Sequence, residues 1–360
     1  MNDSFSEIRF NDLIHVAEAR AASDIHLIPG SRPSIRVDGA LQFVDGPIVT
    51  AEETLHLVRR LLDESTLAML NDLGDATSTW GGFERTVMRV HAFRAQGATT
   101  LSMRLLPRTV PSLDSLHLPT TVSALAQKQR GLILFTGPTG SGKSTSMAAL
   151  LAEINRNQAC RIVTIEDPIE YRHASDRSTI VQREVGRDVR SFADAVIGAL
   201  RADPDVVMIG EMRDAATIRS AMTAAETGHL VLATLHTGDA VQTVDRIVDA
   251  FSGSEQAQIR AQLASALVAV VCQRLLPRSS GNGRRVAAEV LVATDAVRAT
   301  IREGRTHQLR NLIITGRQSG MQTLEHHLSD LLSQRIIDGA VAYAASERQN
   351  ELRESVTSAG

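Results

Sequence analysis

Eight residues near the middle of the chain, Gly137-Pro-Thr-Gly-Ser-Gly-Lys-Ser144, have the types and spacing needed to hold phosphate groups. Their glycines would let consecutive backbone amides point at phosphate oxygens, and the start of a following helix would add partial positive charge. Lys143 would reach the β- and γ-phosphates, while the hydroxyl of Ser144 would coordinate Mg²⁺. We therefore predict an ATP and Mg²⁺ site formed by Gly137, Pro138, Thr139, Gly140, Ser141, Gly142, Lys143, Ser144 and Thr145.

A glycine-rich turn that binds nothing is the alternative for this segment. The flanking residues disfavour it, because an apolar strand-like run, Leu132–Thr136, precedes the loop and a helical pattern begins at Lys143. This order of strand, loop and helix is the context that a phosphate-binding loop requires.

Acidic residues follow two other apolar runs at the points where these runs would end as strands. Glu166-Asp167-Pro168-Ile169-Glu170 comes after Ile162–Ile165, and Gly210-Glu211 comes after Val206–Ile209. Since ligands collect at the carboxyl ends of parallel strands, we expect one of these carboxylates to orient or deprotonate the attacking water. A solvated acidic loop is the alternative for either segment.

Gly210 occupies the position at which many phosphate-loop ATPases carry an aspartate that orders magnesium. Support for the metal must then come from elsewhere. We predict that Ser144 binds Mg²⁺ directly and that Glu166 and Glu170 hold it partly through water.

Two histidines bracket a fourth apolar run, Leu230–Thr234, with His229 before it and His236 after it. We predict that both bind the nucleotide as sensors of its γ-phosphate. A packing role is the alternative for each of them.

The elements that must position these residues form two patterns. Residues 1–108 mix helical spacing with short alternating runs, which predicts a small α+β domain. Prolines between Pro107 and Pro119 predict a linker over 109–122. Residues 123–346 alternate buried strands with helices before ending in amphipathic helices, which predicts an α/β nucleotide-binding core. The polar segment 347–360 is expected to fray.

Composition limits the classes of function. Lys and Arg number 38 against 41 Asp and Glu, a net charge of −3, and aromatic residues make up 3%, so we expect no DNA or RNA partner. Two cysteines, Cys160 and Cys272, are too few for a disulfide framework or a four-thiolate zinc site. The longest apolar stretch, Leu263–Cys272, is far below the ~20 residues that cross a bilayer. We therefore expect a cytoplasmic protein without direct membrane insertion.

Several motifs in order resemble those of the PilT-like type IV pilus retraction ATPases, a branch of the secretion ATPase superfamily. Besides the phosphate loop, the matching segments are Ser23–His26, Arg36–Gly39, Thr164–Tyr171, Asp205–Asp214, Ala225–Thr237 and Gly320–Leu324. The resemblance implies a RecA-like P-loop ATPase core, a smaller N-terminal PAS-like α+β domain and C-terminal helices. Gly210 is normal in that family.

The resemblance also assigns roles that the residues alone leave open. It implies that Glu170 activates the water and that Glu211 supports the network of magnesium and water. It further implies that Arg89 and Arg104, in the N-terminal domain, close over the nucleotide. Taken alone, each arginine reads as a surface charge. His91 departs from the asparagine usual in the family.

The family further implies a homohexameric ring that pulls on an inner-membrane platform protein, recruited to the inner face of the inner membrane. Extension and export ATPases usually carry a four-cysteine zinc insertion, whereas here Gln273–Pro277 runs straight into Arg278–Gly283. Retraction is therefore favoured. The alternatives are a conjugation or type IVB secretion ATPase, a nucleic-acid motor and a non-catalytic accessory subunit.

Overall fold

The computed structural model describes residues 3–352, apart from 38, 84–85, 107–108 and 282. The chain divides into two compact units. The smaller unit comprises Met1–Thr109 with Glu170–Arg172, and the larger comprises Val110–Ile169 with His173–Gly360. The boundary in the main chain falls one residue after the predicted one.

The smaller unit is an antiparallel sheet with helices. Its sheet has the strand order β3-β2-β1-β6-β5-β4. Its elements are α1 (Asp3–Ala19), β1 (Asp24–Leu27), β2 (Ser34–Val37), β3 (Ala40–Phe43), α2 (Ala51–Leu61), α3 (Glu64–Leu73), β4 (Asp75–Phe83), β5 (Thr86–Ala95) and β6 (Ala98–Leu105). This arrangement fits the α+β pattern expected for the N-terminal region.

Alternation along the strands builds the core of this unit. Ile25, Val90 and Met103 are fully buried on one face, whereas Asp24 and Arg104 lie on the other. Because side chains alternate across a strand, one register fixes both the core and the polar face.

The larger unit is a mostly parallel α/β sheet in the order β13-β12-β7-β11-β10-β8-β9, with only β13 antiparallel to its neighbour among the described strands. Its first elements are α4 (Leu113–Leu116), α5 (Thr120–Leu125), β7 (Gly131–Thr136), α6 (Lys143–Asn157), β8 (Arg161–Glu166), β9 (Thr179–Glu184), α7 (Phe192–Ala199), β10 (Val206–Ile209), α8 (Ala215–Glu226), β11 (Leu230–Leu235), α9 (Ala240–Asp249), α10 (Gln256–Ala266), β12 (Leu267–Pro277) and β13 (Arg284–Val292).

Burial on both faces explains why the central strands read as continuous apolar runs. On β7, Leu132 and Leu134 belong to one core cluster, and Ile133 and Phe135 belong to another. Helices therefore cover both sides of the sheet, as parallel sheets require. The four predicted strands are confirmed within a few residues at their ends, and the helix predicted to begin at Lys143 is confirmed as α6.

The predicted linker over 109–122 is instead part of the larger unit from Val110 onward. It contains α4 and the start of α5, and Leu113 and Val122 are buried in the same core cluster as Ile133. The prolines do not prevent this, since Pro111 and Pro119 stand just before the helices, where a missing amide costs little. Residues 107–108, just before the predicted linker, lie outside the described residues.

The chain continues into C-terminal helices, as expected: α11 (Asp295–Arg302), α12 (Leu309–Thr315), α13 (Leu324–Ser333) and α14 (Gly339–Ala345). The expectation of a frayed segment from 347 is wrong for its first residues. A helical turn spans 349–352, and Leu352 is fully buried among apolar residues of α13. Residues 353–360 lie outside the described residues.

None of the helices within the described residues is long and apolar enough to cross a membrane.

Candidate nucleotide-binding and hydrolysis site

The predicted phosphate loop lies between β7 and α6. Gly137, its first residue, has a φ of 137°, and a Cβ there would stand 2.3 Å from the carbonyl oxygen of Gln273 on β12. Real Cβ atoms do not approach backbone that closely, so residue 137 must be glycine. The loop therefore closes directly against the neighbouring strand.

Lys143, the first residue of α6, is nearly buried inside the loop. Its Nζ donates to the carbonyl oxygens of Gly137 at 2.8 Å and Pro138 at 3.0 Å. The ammonium is thus held beside the backbone that would face the phosphates.

The start of α6 fits an anionic ligand. Its N-cap is Gly142, and no side-chain capping bond is present there within the described part of the chain. The first amides of any helix lack partners within the helix. Ser144 and Thr145 are half-buried in this first turn. Backbone amides, the lysine and two hydroxyls therefore meet at one place, which suits phosphate oxygens and a hard cation.

Charged residues from three neighbouring strand ends meet at the same edge of the sheet. Glu211, after β10, contacts Arg213 Nη2 through Oε2 at 2.9 Å and His236 Nε2 through Oε1 at 3.2 Å. Arg213 Nη1 also lies 3.9 Å from Asp167 Oδ2, after β8. His236 follows β11, which pairs directly with β7. Two of the predicted residues, Glu211 and His236, are thus brought together at the ends of strands that lie two and one positions away from β7.

Opposing effects set the ionisation of Glu211. Partial burial would raise the pKa of its carboxyl group, but the hydrogen bond and charge of Arg213, with a smaller contribution from His236, lower that pKa below its ordinary value. Glu211 is therefore ionised at neutral pH and suited to orient water or metal-bound water. Its pairing with Arg213 disfavours a role as the proton acceptor.

Glu166 is fixed by its own strand and the next one. Thr164 Oγ1 donates to Glu166 Oε1 at 2.6 Å, and Gln182 Nε2 donates to the same oxygen at 3.0 Å. The carboxylate is buried at the end of β8. These contacts hold the carboxylate in place, and its support of magnesium through water stays a prediction.

Gly210 has a steric explanation in this fold. A Cβ at residue 210 would lie 3.3 Å from the Cα of Glu166 and 3.3 Å from the carbonyl oxygen of Ile165. The Gly210 amide donates to that same Ile165 oxygen at 2.7 Å. The strands approach so closely here that an aspartate would require them to move apart.

Glu170 lies four residues beyond the end of β8, and its side chain is exposed. The preceding residue is anchored, since the Ile169 amide donates to Glu184 Oε2 at 3.2 Å. The role of Glu170 as the catalytic base stays a prediction.

The two histidines do not lie together. His229 precedes β11 and is held at the opposite edge of the sheet, where its Nδ1 lies 2.9 Å from the carbonyl oxygen of Ala224. The six-residue strand β11 would separate His229 from His236 by about 20 Å. Of the pair, His236 is the one beside the phosphate loop of its own chain.

The two arginines predicted to contact nucleotide are cross-strand neighbours in the smaller unit, Arg89 on β5 opposite Arg104 on β6. Arg104 Nε donates to Asp24 Oδ1 at 2.9 Å, while Arg89 is exposed. Burial would raise the pKa of Asp24, but the Ser23 hydroxyl and Arg104 lower it below its ordinary value. The polar face thus presents both arginines side by side; their contact with a nucleotide stays a prediction.

Sequence reasoning missed Arg213 and Gln273. Arg213 stands two residues after Glu211, a spacing that could have suggested the pair. Gln273 donates from Nε2 to Ser146 Oγ at 2.8 Å and fixes α6 against β12. No local pattern marks Gln273, because its partner is 127 residues away.

Comparison with known proteins places this site in a family. Residues 2–358 match the family model described as type II/IV secretion system protein. A twitching motility protein of Neisseria gonorrhoeae is 40% identical over 96% of this chain and 91% of its own length. The type IV pilus retraction ATPase PilT of Pseudomonas aeruginosa is 39% identical over 91% of this chain and 94% of its own.

A solved structure agrees in fold. The crystal structure of the pilus retraction motor PilT with bound ADP superposes with a TM-score of 0.90 at 41% identity, covering 96% of this chain and 98% of that one. Sequence and fold thus match over nearly the whole chain, the phosphate loop included. The chain belongs to the type II/IV secretion system protein family and is a PilT-like ATPase within it.

Proposed function

We propose that this chain hydrolyses ATP to power retraction of type IV pili. The observation that carries the proposal is similarity of about 40% identity to retraction and twitching proteins along nearly the full chain, combined with an intact phosphate loop. Fold alone would not specify the cellular task, since one fold serves many functions.

The residues divide the work of hydrolysis. Lys143 and the amides at the start of α6 bind the β- and γ-phosphates, and Ser144 binds Mg²⁺, which neutralises charge on those phosphates. Glu170 takes the proton of the attacking water. Glu211, fixed by Arg213, orients the water network, and His236 reports the γ-phosphate to Glu211 through their contact.

The motor is a homohexamer in this proposal. Arg89 and Arg104 stabilise charge on the phosphates during transfer, and the ring acts in the cytoplasm on a platform protein of the inner membrane. Closed rings are a common outcome of head-to-tail contacts between identical subunits. Similarity over nearly the whole chain to a pilus retraction motor supports the motor role.

Deletion of the gene tests the proposal. Loss of a retraction motor should leave cells with more surface pili than the parent and without twitching motility, because pili are assembled but not withdrawn. Surface pili are counted by electron microscopy and motility is scored beneath agar. The gene supplied in trans should restore both phenotypes, whereas a Lys143→Ala copy should restore neither.

Other outcomes identify the alternatives. Cells without pili would indicate an assembly motor. Normal pili together with a loss of DNA or protein transfer would indicate a conjugation or type IVB secretion ATPase, and either result would refute retraction.

A further inference from the structure

A buried cluster of charged side chains lies behind the nucleotide site, where β13 meets the C-terminal helices. Its centre is Glu289 on β13, of which 3% is exposed. Isolated buried carboxylates are costly, so such a group is expected to have specific partners. Among the described residues, Glu289 contacts two groups, and each belongs to a different part of the larger unit.

The first partner is the amino end of α9. Glu289 Oε1 accepts a hydrogen bond from the Ala240 amide at 2.9 Å, and Ala240 is the first residue of that helix. A carboxylate at this position satisfies an amide without a helical partner and complements the helix dipole. Glu289 therefore fixes where α9 begins.

The start of α9 in turn fixes the loop that carries His236. Only three residues separate His236 from Ala240. Thr237 Oγ1 lies 2.7 Å from Thr243 Oγ1 in the first turn of α9, and Thr243 Oγ1 donates to the carbonyl oxygen of Asp239 at 2.7 Å. A shift of α9 would therefore be transmitted to His236 and to its contact with Glu211.

The second partner is Arg310 on α12, whose Nη1 lies 3.6 Å from Glu289 Oε2. Arg310 also contacts Glu325 Oε2 of α13 at 3.0 Å and Glu351 in the last described helical turn. One guanidinium thus faces three carboxylates. Ionisation of Glu289 consequently depends on how the C-terminal helices hold Arg310.

Glu289 also lies in the same cross-strand row of the sheet as the residue that precedes the phosphate loop. It lies opposite Cys272 of β12, and Cys272 lies opposite Thr136, the last residue of β7 before Gly137. The cluster is therefore tied to the two segments that frame the nucleotide, the phosphate loop and the His236 loop.

We propose that Glu289 is a positioning residue for ATP turnover: it holds α9 and the His236 loop in place and is itself held by Arg310 of the C-terminal helices. The inference rests on the ATP hydrolysis proposed above, and it adds a path by which the C-terminal helices control that reaction. Glu289 acts through His236 and Glu211 and does not contact nucleotide.

Ionisation of Glu289 makes turnover sensitive to pH. Burial raises the pKa of its carboxyl group to about 7; the Ala240 amide and Arg310 oppose this rise, while Asp239 and Glu325 add to it. Cys272 faces it from β12 with a pKa raised well above its ordinary value. As pH falls through about 7, Glu289 gains a proton, loses its ionic contact with Arg310, and turnover should fall.

The test compares turnover with nucleotide binding in the full chain. Glu289→Gln should lower kcat about tenfold, because small displacements of catalytic groups cost orders of magnitude, and should leave the Kd for ADP unchanged. Its pH–rate profile should lose the inflection near 7. Arg310→Gln should lower kcat similarly, Arg310→Lys should restore part of the loss, and the double variant should be no slower than either single one.

Arg298→Gln is the matched control. Arg298, on α11, is also a partly buried arginine of the C-terminal helices, but it donates to the carbonyl oxygens of Ala293, Ala264 and Ser265. Its loss should change the thermal midpoint and not kcat. Equal losses of kcat in Arg298→Gln and Arg310→Gln would show that the cluster contributes only to general stability, and this result would overturn the proposal.

Hydrogen exchange gives a readout that does not depend on hydrolysis. In Glu289→Gln, amides of residues 237–242 should exchange faster, while those of 143–150 in α6 should not. Unchanged exchange at 237–242 would overturn the proposal even if kcat fell. A failure of the deletion test would instead reject pilus retraction and leave this result standing.

Discussion

The lysine of the phosphate loop is held by the backbone of the loop itself. Its two bonds to carbonyl oxygens of the same loop hold the ammonium in place. The same contacts make Lys143 responsible for the shape of the loop as well as its charge.

Replacing Glu170 should separate binding from chemistry. Glu170→Gln keeps the size of the side chain but cannot accept a proton, so we expect ADP affinity close to that of the wild type and kcat reduced by about 10²–10⁴. Lys143→Ala should instead abolish ADP binding. Fluorescent ADP titration and phosphate release measure the two quantities. Normal turnover in Glu170→Gln would transfer the role of base to another carboxylate.

The residues of the site were predictable where they are consecutive, as in the phosphate loop. The sequence predicts Glu211 and His236 as site residues but does not predict Arg213, which fixes Glu211. The contact between Arg213 and Glu211 becomes recognisable only in the fold, where three strand ends meet. His229 and His236 look equivalent in the sequence. Strand β11 separates them, since the two ends of a strand lie at opposite edges of the sheet.

Strands β8 and β10 approach each other closely at Gly210, and this contact constrains the site. The amide of Gly210 bonds to Ile165, and its Cα faces the backbone of Glu166. This contact sets the orientation of Glu211, the next residue. The glycine therefore serves the geometry of the acid that follows it.

Gly210→Asp should disturb this contact. We expect the free energy of unfolding to fall by about 1–3 kcal/mol through overpacking, with kcat reduced because Glu211 moves. Urea denaturation and phosphate release are the measurements. Gly253→Asp is the control, since a Cβ there meets nothing within 4 Å among the described residues. If both variants retained wild-type stability and turnover, the steric account of Gly210 would be refuted.

Among the elements, the four central strands were predictable because burial on both faces leaves short, continuous apolar runs. The segment 109–122 was misjudged because its prolines resemble a linker, although they stand before short helices whose Leu113 and Val122 enter the core. The antiparallel strand β13 follows a turn and pairs with β12. That pairing depends on contacts that no local pattern records.

At the scale of the whole molecule, the chain consists of two units of different architecture, one antiparallel and one mostly parallel. The predicted groups are divided between them: the phosphate loop lies in the larger unit, and Arg89 and Arg104 lie in the smaller. A reaction that uses both sets needs the units to cooperate, within one chain or between chains of a ring.

Mixing subunits should test the proposed ring. Glu170→Gln chains combined with wild-type chains should lower turnover more steeply than the wild-type fraction alone, because an inactive neighbour would arrest coupled subunits. Phosphate release at constant total protein measures this. As the control, wild-type chains and Lys143→Ala chains are assembled separately and are combined only at the start of the assay. A strictly proportional decline would contradict coupling between subunits.

The last described residues also affect how the motor can be labelled in cells. Leu352 is buried and Glu351 pairs with Arg310, so a fluorescent protein joined before residue 352 would remove contacts that the C-terminal helices need. A label attached beyond that point spares them. Counts of motors at a pilus base would then report working molecules and not damaged ones.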